Sequence, residues 1–275
     1  MRGLGIRGAI VGYVVALAGG MVAGGMGGAA LAQPAAATDW SGFEVGGSIG
    51  ATGGWSHVQS EATRKASGNY FSGTDFAQFR RVTDDDIMQW RPSGGLEFGY
   101  TQQYGHVLLG VAASANTLFL DQSSQTSEIF QSAPGTIRFF VDQRVKTDWQ
   151  ATLGPKLGWA QDKWQVFATG GLAVTRATLD TTFRDNANFN GFNGNGHGSN
   201  TETMLGWALG VGGGYALDAN WALSLKYLYA DYGSLSTSYT IRNADQPGNS
   251  TPVTSTGDLK TNTVLLGVTY RFKGL

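Results

Sequence analysis

The sequence predicts an all-β chain: an eight-stranded antiparallel up-and-down transmembrane β-barrel with short periplasmic turns and four long extracellular loops. Three observations lead there. Apolar residues recur with period two in eight separate segments. The connections between those segments alternate between short and long, as in barrels of the outer-membrane type. The face opposite the bulky residues carries mostly Gly, Ala, Ser and Thr, side chains small enough for the narrow interior of eight strands. Composition agrees. Of 275 residues 42 are Gly, 14% are charged and 41% are hydrophobic, too polar for a multi-span helical protein yet close to the neutral average of an alternating barrel strand. A net charge of −1 supplies no broad attraction to nucleic acid. The absence of Cys removes disulfides, thiolate metal sites and Cys nucleophiles together.

The elements follow in chain order. Residues 1–32 read as a secretory signal peptide. Arg2 and Arg7 form the basic start, residues 9–18 the apolar run, and Ala30-Leu31-Ala32 an A-x-A cleavage pattern before Gln33. The barrel is therefore expected over residues 33–275, exported, with 17 basic and 20 acidic residues left once Arg2 and Arg7 are removed. Strand one places Phe43, Val45, Ile49 and Ala51 on one face. Strand two does the same for Met88, Trp90, Leu96, Phe98 and Tyr100, and strand three for Val107 through Phe119. Trp149, Leu153, Leu157 and Trp159 define the fourth, and a weaker fifth runs over residues 164–177. The sixth sets Leu205 to Tyr215 against an almost unbroken Gly/Ala row, Trp221 to Tyr229 make the seventh, and Val264 to Phe272 the last. Only residues 101–105, 160–163 and 216–220 separate strands two and three, four and five, and six and seven. The other four connections are long and polar.

Aromatic spacing is an independent check. Trp90 and Tyr100 share a parity ten residues apart, as do Trp149 and Trp159. Ten residues span about 33 Å along a strand. A tilt near 40° projects this to about 25 Å along the membrane normal, the height of a barrel's apolar band between its aromatic girdles. Trp221 and Phe272 extend the girdle beside the turns. A soluble barrel also alternates, but its outer face would then be the Gly/Ala/Ser/Thr side, too weakly charged to be a good solvent coat.

Charges on the inward parity form the candidate site. Glu44, Arg91, Glu97, Asp148, Lys156, Lys226 and Arg271 all take it. An isolated charge in a low-dielectric lumen costs several kcal/mol, so such groups must pair. Glu97, Lys156 and Lys226, well inside their strands, are the centre of the expected network, with Arg91 and Arg271 at its ends. Two readings follow: a static plug of side chains, which the small lumen favours, or a gate for small solutes.

Three stretches carry a family resemblance. Asp39-Trp40-Ser41-Gly42-Phe43 with Val45-Gly46-Gly47 resembles the start of the small outer-membrane β-barrel surface proteins of alphaproteobacteria, labelled "porin family" or opacity/OmpA-like. The segment 215–233, from Tyr215-Ala216-Leu217-Asp218 to Asp231-Tyr232-Gly233, resembles their penultimate hairpin. Residues 263–272 are similar to their closing strand, whose terminal aromatic is the signal for the barrel-assembly machinery. Glu44 stands where the family usually has Tyr, Lys226 where it has Glu, and Lys273-Gly274-Leu275 extends past the terminal Phe. The resemblance implies a surface protein of the Gram-negative cell outer membrane. Its expected partners are outer-membrane lipids, lipopolysaccharide and the assembly machinery, with loops available to host or cell-surface ligands.

Catalytic signals are weak beside this. Gly46-x-Ser48-x-Gly50 matches a serine-hydrolase elbow, but that motif needs a turn and a following helix, and here the alternation continues. The three histidines, His57, His106 and His197, have no Ser and carboxylate at readable spacing. The Gly run 210–214 lacks the GK[ST] ending of a phosphate loop, Asp84-Asp85-Asp86 lacks the ligand alternation of a calcium loop, and residues 186–200 are low in complexity. No catalytic, metal or cofactor residue is expected and no cofactor is implied. The expected role is structural and surface-interactive, a narrow porin is the alternative, and an outer-membrane lipid-modifying enzyme is a distant third.

Overall fold

The computed structural model describes residues 38–132, 137–186 and 193–273. The leader expected over residues 1–32 and the end of the C-terminal extension, Gly274 and Leu275, lie outside them. Eight strands run antiparallel in chain order: β1 (Gly42–Ala62), β2 (Asp85–Tyr104), β3 (Val107–Ile129), β4 (Arg138–Gln161), β5 (Trp164–Asp185), β6 (Gly194–Ala216), β7 (Trp221–Asn243) and β8 (Ser250–Phe272). They close into a barrel, the last rung pairing β1 with β8 from Phe43↔Phe272 to Ala62↔Val253. Closure leaves no open sheet edge, which lipid would not tolerate.

The strands are 20 to 24 residues long, about twice what a bilayer requires. The four polar connections are long in sequence, but most of their residues continue the strands. Only residues 130–137, 186–193 and 244–249 join β3 to β4, β5 to β6 and β7 to β8. The low-complexity run likewise enters β6 at Gly194. The fourth connection, 63–84, contains a helix that period-two reading overlooks, α1 (Asp75–Val82).

Long strands are possible because the wall changes solvent partway up. Along the turn-side half, large apolar groups point outward: Ile49, Leu172 and Leu205 are 73%, 66% and 74% exposed. Above a belt at Trp55, Trp90, Trp149 and Trp207 the arrangement inverts. The exterior there is Ser, Thr, Asn and charged residues such as Ser236, Thr254 and Arg144, while the interior is apolar. β-Bulges accompany the change. One lies between Thr147 and Gln150 of β4. A second lies between Thr117 and Leu120 of β3, and a third between Asp231 and Ser234 of β7, where Gly233 takes φ +73°, a conformation glycine adopts without a Cβ penalty. Each extra residue switches which parity faces inward.

The interior is filled in tiers. At the turn end Trp40 is fully buried with Leu108, Ala160, Ala216 and Ala222. A polar tier follows, in which Tyr232 and Thr261 donate to Gln150 Oε1 (2.8 and 3.0 Å) and Thr52 bonds Thr263 (3.0 Å). Overlapping its upper part, Val58, Val145, Leu179, Leu235 and Leu259 form an apolar layer. Finally Tyr70, Phe71, Phe79, Phe130, Phe139 and Phe183 pack as an aromatic cap. α1 is tied over this cap by Gln78, which donates to Ile129 O (2.7 Å) and accepts from Gln131 N (3.0 Å), and by Asp75, whose carboxylate accepts from Ser72 and Ser132.

Candidate functional site: the charged lumen and its rim

Five strands bring the inward charges together near the turn end. β1 carries Glu44, β2 Glu97, β4 Lys156, β7 Lys226 and β8 Arg271. Small neighbours make room: Gly99 and Gly154 line the same cavity, about 60 Å³ in volume, with Glu44, Glu97, Lys156 and Lys226. That volume suits a few waters and no larger solute. Lys226 Nζ lies 2.7 Å from Glu97 Oε1. Lys156 Nζ donates to Glu44 Oε2 at 2.8 Å and to Thr101 Oγ1 at 3.2 Å, and its ammonium sits 5.0 Å from the Phe167 ring centroid. Arg271 Nε lies 3.8 Å from Glu44 Oε1, while Nη1 donates to the Asp39 carbonyl at 2.8 Å. The Arg271 guanidinium also stacks on Trp40, 4.4 Å from the ring centroid, so cation–π contact and burial hold the turn-end seal together.

Of the residues expected in this network, the structure brings Glu97, Lys156 and Lys226 around one cavity and Arg271 to a second, smaller one that Glu97 and Lys156 also line, with Glu44 bridging Lys156 and Arg271. It does not bring Arg91. That side chain is exposed and lies outside the wall, beside Ile49, Pro92, Ser93, Gly94 and Phe119. The reason is local. The β2–β3 ladder stops at Gly95↔Asn116, Pro92 has no N–H to donate, and in this unpaired stretch Arg91 leaves the inward parity that Ser93 and Ile87 keep. Asp148 is corrected for a related reason. The β4 bulge turns both Asp148 and Trp149 outward, and Asp148 pairs with Lys146 at 3.6 Å.

The six girdle aromatics are all on the exterior, Trp90, Tyr100, Trp149, Trp159, Trp221 and Phe272 being 40–51% exposed. Cross-strand rings support them: Tyr100 on Phe43 (4.9 Å), Trp221 on Tyr270 (5.0 Å), and His106 stacked on Trp159 (5.0 Å). Ser48 lies within β1, paired with Gly95 and Gly267. The histidines are engaged elsewhere, His57 with Asp84 and Asp86, His106 with the Ala160 carbonyl and His197 with Thr182. Among the described residues no set of three His, Asp or Glu side chains is placed to hold a metal ion.

Sequence reasoning missed the aromatic cap. Its signal was present as Phe76 and Phe79 at i, i+3, with Ser72 three residues before Asp75, a helix-start spacing inside a connection otherwise read as loop.

A closed antiparallel ring with an apolar band, aromatic belts and a small polar lumen is an integral β-barrel of the bacterial outer membrane. The profile described as "Outer membrane protein beta-barrel domain" matches residues 22–272, and the chain belongs to that family. It is 29% identical over 211 residues to the 31 kDa outer-membrane immunogenic proteins of Brucella melitensis and Brucella suis, covering 74% of this chain and 76% of theirs. Among solved structures it is similar to the attachment invasion locus protein Ail of Yersinia pestis (14% identity, TM-score 0.33, 82% of this chain and 99% of that one). It is also similar to Neisserial surface protein A (13%, 0.35, 84% and 98%). The protein is thus an outer-membrane barrel with immunogenic homologues.

Proposed function

We propose that the barrel is a non-conducting scaffold that supports the envelope and presents a rigid extracellular wall to lipopolysaccharide, host surfaces or other cells. One observation carries this reading: the lumen is blocked by the Trp40–Arg271 stack, the ion pairs of Glu44, Glu97, Lys156 and Lys226, and the aromatic cap, which leave only a cavity of about 60 Å³ among the charges. A solute path would require all three tiers to move. The lumen network acts here as a static plug. The immunogenic relatives support surface exposure, and the exposed Phe272 closing the ring supports recognition of β8 by the assembly machinery. Cleavage after Ala32 and a non-catalytic role belong to the same reading.

The test is conductance in planar bilayers with the purified barrel, wild type beside Glu97→Gln and Lys156→Met. Background current from all three is expected, together with envelope leakiness and normal solute uptake in a deletion strain. Solute-selective steps from the wild type, altered by either variant, would make the protein a narrow porin and end this proposal.

A further inference from the structure

The exterior of β1, β2 and β3 carries a feature that the plug does not use. Ile49, 73% exposed, and Phe119, 60% exposed, stand as two walls, with Pro92, Ser93 and Gly94 as a low floor between them. The groove has a volume of about 500 Å³. Its depth is fixed by the belts: Trp90 marks the outer interface and Tyr100 the inner one, so the floor lies in the outer leaflet just below the headgroups.

The wall here is built unlike its neighbours. Pairing of β2 with β3 ends at Gly95↔Asn116. Thr117 substitutes for the missing rungs, exchanging side-chain hydrogen bonds with Gly94 N and O (both 3.1 Å) and accepting from Ser93 Oγ at 2.6 Å through its carbonyl. Phe119 is held at φ +48°, a strained setting for a bulky residue, and in it the ring stands up as a wall.

Arg91 lies at the upper end of this groove, next to Trp90 and exposed. Among the described residues it has no carboxylate within 4.0 Å, because the acid beside it, Asp121, is gripped by Arg144. A cation at headgroup height above an apolar trough matches a lipid that carries phosphate directly over its acyl chains, and Arg is the side chain suited to phosphate. The outer leaflet at this depth is made of phosphorylated glycolipid.

We propose that this groove is a specific site for the lipid A moiety of lipopolysaccharide, with an acyl chain between Ile49 and Phe119 and a phosphate on Arg91. The site rests on the outer-membrane assignment and not on the plug, and conductance does not bear on it. The two halves can be altered separately. Arg91→Gln removes the phosphate partner. Gly94→Leu fills the floor, where a Cβ would meet only Ser48 O at 3.3 Å and Ile49 Cγ2 at 4.0 Å. Arg184→Gln, high on the extracellular wall against Phe140, is the control.

Detergent-solubilised barrel, its folding checked by gel mobility before and after boiling, is titrated with bisphosphorylated lipid A, dephosphorylated lipid A and phosphatidylglycerol. Bound lipid is counted by native mass spectrometry. Bisphosphorylated lipid A is expected to bind about tenfold tighter than either other lipid, the equivalent of one charge-assisted contact. Arg91→Gln should abolish that preference, Gly94→Leu should weaken lipid A binding about as much, and Arg184→Gln should change neither. Equal binding of the three lipids by the wild type, or an unchanged preference in folded Arg91→Gln, overturns the site. A loss shared equally by phosphatidylglycerol leaves generic anionic-lipid contact and overturns it too.

Discussion

Substituting Lys226 by Met tests whether the lumen pairs hold the barrel together. Met keeps an unbranched stem of similar length but leaves Glu97 without its ammonium, 2.7 Å away in the native protein. Unit charges about 4 Å apart in an effective dielectric near 20 attract by about 4 kcal/mol, and removing one member of a buried pair costs about 3–5 kcal/mol. Lys226 is 9% exposed and Glu97 23%, and Lys156 lines the same cavity. Partial hydration and that second cation both relieve the orphaned carboxylate, so the lower end, about 3 kcal/mol, is expected. The double variant Lys226→Met/Glu97→Gln removes both charges and should recover at least half of the loss. Equilibrium unfolding in guanidinium from lipid vesicles, followed by the fluorescence of the eight Trp, measures each corner of the cycle. The exposed pair Arg144–Asp121, 48% and 33% exposed, is the reference: Arg144→Gln should cost no more than about 1 kcal/mol. A cost below about 1 kcal/mol for Lys226→Met, or a double variant no more stable than the single, would refute the argument that burial makes this pair matter.

Three further outcomes follow from the same geometry. Phe183→Ala, at the centre of the aromatic cap in contact with Tyr70, Phe71, Phe79 and Phe139, should destabilise the cap by about 3–5 kcal/mol; amide exchange should rise in α1 and 63–84 but not in the turn-side half of the strands. Gly233→Val forces a β-branched residue to φ +73° and should cost about 1 kcal/mol or more, read as a lower guanidinium midpoint, whereas Gly47→Val, whose Cβ meets nothing within 4 Å, should not lower it. Asp218 caps the β6–β7 turn by accepting from the backbone N–H groups of Trp221 and Asn220, both at 2.8 Å, and these bonds hold its carboxyl below the usual 3.8. Its folded value being depressed, its contribution is present above the ordinary carboxylate pKa and is lost as pH falls through the lowered one; Asp218→Ala should therefore be less stable than wild type at pH 7, with the difference shrinking as pH falls through the acid range, in urea titrations across it.

The turn-side half of the fold was legible because lipid outside and small groups inside impose one parity from Phe43 to Ile49 or from Leu96 to Tyr100. The upper half was not, because apolar residues there move to the inside and bulges at Asp148 and Gly233 shift the count. A strand with Ser, Thr and Asn outward and scattered Phe inward reads as a polar loop when its partner strands are unknown. The site divides the same way. Glu97 and Lys226 lie where the ladder is regular and parity holds, whereas Arg91 lies four residues past the rung where β2 and β3 part. The Trp40–Arg271 stack joins residues 231 positions apart in sequence, a contact that only ring closure creates.

The inverted wall above the outer belt has a consequence for how such a protein changes over time. Outward positions such as Ser236, Ser238, Thr254 and Thr256 touch one another through exposed hydroxyl contacts and contribute neither to the lipid fit nor to the apolar filling. Replacements there carry almost no folding penalty. The outward surface above the belt is therefore free to drift, while the hidden Phe and Leu beneath it keep the ribs in register and hold every new face on the same rigid mount.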